Sequence, residues 1–138
     1  MRLLVLATAL GLGGCGIVGL GEDERLGVIE FYRDTTVVSV PSNVSAGASF
    51  GVTFHTFGGG CVRAGRTDVE VEGSIATVTP VDIHSGGDAC TAELAFLSHE
   101  ASIVFRSPGP ATIVVRGRVQ PADTVAERSF TVAVEQDS

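Results

Sequence analysis

From residue 27 to residue 135 apolar and polar residues alternate with a period of two, broken at short intervals by turn-forming residues. In 49–57, Phe50, Val52 and Phe54 share one phase, and Ser49, Thr53 and His55 the other. Residues 66–72 set Val69 and Val71 against Asp68, Glu70 and Glu72. This pattern lets a strand bury one face and wet the other. It predicts strands over 27–32, 36–40, 49–57, 66–72, 74–81, 90–97, 101–106, 111–119 and 129–135. Pro41-Ser42-Asn43, Gly58-Gly59-Gly60 and Pro108-Gly109-Pro110 supply breaks. No stretch sustains the three-and-four spacing of an amphipathic helix, and 18 glycines against five prolines disfavour helix further. The expectation is an all-β, antiparallel β-sandwich of about 7–9 strands. A small closed β-barrel is the alternative.

A chain of 138 residues is one domain's worth, and 44% apolar residues suffice for a core. All nine basic residues are Arg, against 16 acids, for a net charge of −7. A nucleic-acid partner would need a basic face, so none is expected.

The first 15 residues have a separate logic. Arg2 precedes an uncharged apolar run from Leu3 to Leu12, too short to span a bilayer, and small residues lead to Cys15. Leu12-Gly13-Gly14-Cys15 resembles the lipobox of bacterial lipoproteins, in which an apolar residue and two small ones precede the lipidated Cys. The resemblance implies cleavage before Cys15, acyl chains on it, and attachment to the bacterial cell envelope. Gly16 rather than Asp follows the Cys, which in that family's sorting rule implies delivery to the outer membrane. The organisation expected is a signal peptide over 1–14, a lipidated flexible tether over 15–26 and a folded domain over 27–138.

With Cys15 assigned to lipid, Cys61 and Cys90 remain, and an even pair in an exported chain reads as a disulfide. A zinc site is the rival reading, but two isolated cysteines lack the short spacing zinc prefers. A second resemblance covers most of 36–135. Val40-Pro41-Ser42-Asn43-Val44-Ser45-Ala46-Gly47-Ala48-Ser49-Phe50 looks like the opening of bacterial immunoglobulin-like domains, and 107–117 like their penultimate strand. It implies the fold alone. No Trp accompanies the cysteines, so their bridge is expected to staple loops.

Chemistry-bearing residues are sparse. His55, His84 and His99 are the candidate general bases, and each is expected at the surface, His99 in a Ser98-His99-Glu100 turn. There is no Gly-x-Ser-x-Gly elbow, and Gly58–Gly60 is no phosphate cradle, since no helix start or Lys follows. The stretch Asp82–Asp88 could offer oxygens to Ca²⁺, but it lacks the spacing of an EF-hand loop, and a solvated Gly-Gly turn is the plainer reading. Neither a cofactor, a metal nor a catalytic residue is assigned. The expected function is non-catalytic: a binding or structural module on a membrane, with an envelope protein or a glycan as partner. The alternative is a small secreted-type enzyme or enzyme inhibitor acting through loops at one end. A Cys61–Cys90 bond would draw two loops together, one with Arg63 and Arg66, the other with Asp82, His84 and Asp88. These five form the expected binding patch.

Overall fold

The computed structural model describes residues 21–136. The expected leader over 1–14, the expected lipidation site at Cys15 and the expected tether as far as residue 20 lie outside the described residues. Ten strands follow: β1 (Asp23–Leu26), β2 (Val28–Phe31), β3 (Asp34–Thr35), β4 (Asn43–Ser45), β5 (Ser49–Gly58), β6 (Val62–Glu72), β7 (Ile75–His84), β8 (Ala95–Val104), β9 (Gly109–Gln120) and β10 (Thr124–Glu135). The described residues contain no helix, as the alternation predicts.

The strands form one curled sheet in the order β1-β7-β9-β2-β5-β8. To this path β10 adds along β9, β6 along β7, β3 on β2 and β4 on the end of β10. The expectation of a purely antiparallel sheet is corrected. β7 and β2 run parallel to β9, and β4 runs parallel to β10. The reason is topological: β8 returns along β5, and β9 then enters beside β7 in the same direction. Alternation specifies which face a strand buries, not which way its neighbour runs.

The core lies inside the curl. It takes Ile29 from β2, Val52 and Phe54 from β5, Ala76 and Val78 from β7, Ala101 and Ile103 from β8, Ile113 and Val115 from β9, and Val132 and Val134 from β10. Gly117 belongs to this inward series because an added Cβ would lie 2.5 Å from Ile29 Cγ2.

Four local expectations change. The ladder begins at Asp23, inside the segment read as a tether, where β1 pairs with β7. Residues 36–40 make a single bridge, Ser39 to Thr53, in place of a strand. Residues 90–94 are not strand, whereas 95–104 form one continuous β8 through Ser98-His99-Glu100, where a turn was expected. Arg63 and Arg66 lie in β6, and Asp82 and His84 in β7, not in loops.

Between Ala64 and Thr67 the β6–β7 register slips by one residue. Gly65 makes the bulge possible, because a Cβ there would collide with the Val81 carbonyl oxygen. Ala64 pairs with the inward-facing Asp82, so without the extra residue Arg66 would take the next inward position. With it, Thr67, Val69 and Val71 face inward opposite Pro80, Val78 and Ala76. β6 and β8 then meet through side chains, with no ladder between them among the described residues.

Candidate functional site

The expected patch is divided by the structure. Arg63 extends its fork to Glu22, with Nη1 2.8 Å from Oε1 and Nη2 3.0 Å from Oε2. Arg66 donates from Nη1 to Glu24 at 2.5 Å and from Nε to Asp68 at 3.1 Å. These bonds raise both guanidinium pKa values above the ordinary Arg value, through Glu22 for Arg63 and Glu24 for Arg66. Both residues are solvent-exposed, so the pairs contribute little to stability. They tie β6 to the stretch containing β1. His84 accepts a hydrogen bond from the Gly86 amide at Nδ1, and Asp88 is exposed in the following loop.

Asp82 is corrected outright. Its side chain is 4% exposed and cannot reach a partner from outside. It accepts from Thr56 Oγ1 at 2.6 Å and faces His99 Nε2 at 2.7 Å, while His99 Nδ1 lies 2.7 Å from Thr67 Oγ1. Phe54 stacks on the imidazole at 5.6 Å between centroids. His99, expected in a surface turn, is buried at the centre of this chain of four residues. Buried polar atoms need partners, and each of these side chains has at least one. Gly27 leaves room, since a Cβ there would lie 2.6 Å from Thr56 Cγ2 and 3.0 Å from Asp82 Oδ2. The signal for His99 was its phase: it falls on the same parity as Ala101 and Ile103, which continue the buried face of β8.

Cys61 and Cys90 are joined as a disulfide, with Cα atoms 5.2 Å apart, as the cysteine count predicts. The bridge ties the start of β6 to the 85–94 loop, and the Gly60 amide donates to the Thr91 carbonyl at 3.4 Å. Gly60 has no room for a side chain because Thr91 occupies that space.

Beside this staple lies a cleft of about 390 Å³. Phe31, Phe57 and Val28 line its apolar side, Gly58 and Gly59 one edge, and Thr91–Leu94 with Gln120 the rest. Phe57 belongs to the outward phase of β5, where its ladder partner is Phe96 on β8. The two rings meet edge to face at 5.6 Å, and Phe57 stacks on Phe31 at 6.1 Å. Tyr32 packs its ring at 4.7 Å from Phe31, and His55 lies 4.8 Å from Phe96. Phe57 is buried by its neighbours, whereas Tyr32 is 64% and Phe96 66% exposed. An aromatic cluster thus stands on what alternation would make a polar face. The signal for it was Phe57 itself, an apolar residue in the polar phase after Ser49, Thr53 and His55.

Comparison of the chain with protein-family models, with curated proteins and with solved structures finds no match.

Proposed function

We propose that this chain is a lipid-anchored envelope protein whose folded part is a non-catalytic binding module. The observation that carries the reading is the aromatic cleft beside the disulfide. Large exposed apolar side chains gathered in one place mark interaction sites; here Leu94 lines the concavity, and Tyr32 and Phe96 pack on its lining rings Phe31 and Phe57. A rigid sheet supplies one wall and a stapled loop the other, the usual arrangement for recognition. Gly21 approaches Gly86, at the disulfide end of the molecule. Cys15 precedes Gly21 by only a few residues, so a lipid there would hold the cleft near the membrane surface. In this reading the curled sheet is an immunoglobulin-like sandwich whose first strand changes partner at Gly27, from β7 in β1 to β9 in β2.

The test is fractionation of cells expressing the full chain and its Cys15→Ala variant, followed by cross-linking in native membranes with wild type and Phe96→Ala. Membrane attachment that depends on Cys15, and a cross-linked partner lost on Phe96→Ala, support the reading. Equal retention of Cys15→Ala in membranes with normal processing removes the anchor, and capture indifferent to Phe96 removes the cleft.

A second reading rests on the chain Thr67–His99–Asp82, which has the hydroxyl–imidazole–carboxylate order of a nucleophilic enzyme. Against it, the His99 side chain has no exposure, and neither Thr67 nor His99 lines the cleft. Covalent labelling of Thr67 by a fluorophosphonate, lost in His99→Ala, would favour this enzyme reading over the binding module.

A further inference from the structure

We infer that the aromatic cleft recognises a neutral, hydroxyl-rich glycan chain; the inference rests on the binding-module reading and names its ligand class. The lining decides the charge. Among the described residues no Arg or His lines the cleft, and the ionisable side chain in its lining is Glu93, on a chain of net charge −7. An anionic ligand would be desolvated there without a counter-charge. The lining also decides the polarity. Phe31 and Leu94 offer apolar contact over the buried Phe57, while Glu93 and Gln120, whose Nε2 also donates to Asp123, place polar groups in the same lining. A hexose ring matches both, with an apolar C–H face and an edge of hydroxyls. The volume of about 390 Å³ lies within the range of small-ligand sites.

The rings are arranged for stacking. Tyr32 stands at 74° to Phe31, and Phe96 at 74° to Phe57. Each exposed ring therefore rests by edge contact on a more buried one. The two flank the central Phe31–Phe57 pair as separate platforms.

Backbone geometry adds an independent observation. Tyr32 has φ of 58°, a left-handed conformation that a bulky side chain adopts only at a cost. Its amide is held by the Gln120 carbonyl at 2.8 Å, and its ring is directed into solvent next to the cleft. Gly would serve the turn without strain. Tyr32 holds this conformation with its ring against Phe31 and 64% exposed, so it presents aromatic surface beside the cleft.

The experiment titrates the purified full chain with chitohexaose, laminarihexaose and maltohexaose, followed by NMR chemical shifts, beside Phe96→Ala and Tyr32→Gly variants and a tetramethylammonium control. The expected result is saturable binding of at least one oligosaccharide, weakened about tenfold or more by either substitution. Tyr32→Gly should keep or raise the melting temperature while losing binding, which separates recognition from folding. Absence of binding to all three sugars overturns the inference, as does binding of tetramethylammonium in their place. A cross-linked envelope protein lost on Phe96→Ala, without sugar binding, overturns the glycan assignment and leaves the binding-module reading standing.

Discussion

Asp82 and Asp88 lie six positions apart, and the same stretch of sequence suggested the same solvated role for both. Their environments differ in every respect that matters energetically. Asp82 joins Thr56 to His99 inside the curl, and Asp88 projects from a loop. Truncating Asp82 leaves two buried polar groups without their partner, a loss of about 3–5 kcal/mol. Asp82→Ala should therefore lower the urea midpoint sharply, whereas Asp88→Ala should stay within about 0.5 kcal/mol of wild type. Equal effects from the two would show that the buried chain does not stabilise the fold. Gly27 belongs to the same account: Gly27→Ala should destabilise by crowding Thr56 and Asp82, read by the same denaturation curve.

At the scale of elements, the bulge in β6 and the disulfide at its start do different work. Gly65 lets the chain insert one residue and so turn Thr67 toward His99. Gly65→Ala forces the Cβ against the Val81 carbonyl, so loss of about 1–3 kcal/mol is expected, with faster amide exchange along β6 and the facing part of β7. Unchanged exchange there would show that the bulge tolerates a side chain. The Cys61–Cys90 bridge acts on the unfolded chain. For a sequence separation of 29 the chain-entropy argument gives about 3.6 kcal/mol. Thiol titration of the unfolded, unreduced protein should find neither Cys61 nor Cys90 free, and reduction should lower the melting temperature. Two titratable thiols at these positions would refute the bridge. Arg63 and Arg66 bind β6 to Glu22 and Glu24. Their joint replacement by Ala should speed exchange in β1 while leaving the melting temperature nearly unchanged, because the pairs are exposed. Both guanidinium pKa values are raised, so their contribution, where the partner carboxylates are ionised, is present below the ordinary Arg range and is lost as the pH rises through the raised values.

For the molecule as a whole, one end gathers the disulfide, the 85–94 loop, the aromatic cleft and the entry of the chain at Gly21. The seam between β6 and β8 is a second distinctive region, where Val69 and Val71 face inward yet remain 36% and 40% exposed because, among the described residues, no ladder joins β6 to β8. Replacing either by Thr, which keeps the branched shape, should change stability less than the same change at fully buried Val78 or Val115. Comparable losses at the seam and in the core would mean that the curl is closed in solution.

Period-two alternation was enough, from the sequence alone, to specify an all-β domain and to place Phe54, Val52, Ile113, Val115, Val132 and Val134 inward, because strand geometry makes parity equivalent to face. Cysteine parity was enough to pair Cys61 with Cys90. Strand direction was not legible, since a parallel and an antiparallel neighbour ask the same alternation of β7 and β9. Nor was the role of Asp82 and His99. A carboxylate and an imidazole read as surface groups until a bulge at Gly65 brings a threonine to meet them. The aromatic cluster at the cleft likewise depends on Phe31, Phe57 and Phe96, which come from three strands and meet only when the sheet forms. Local pattern fixes which way a side chain faces, whereas tertiary packing decides what it faces.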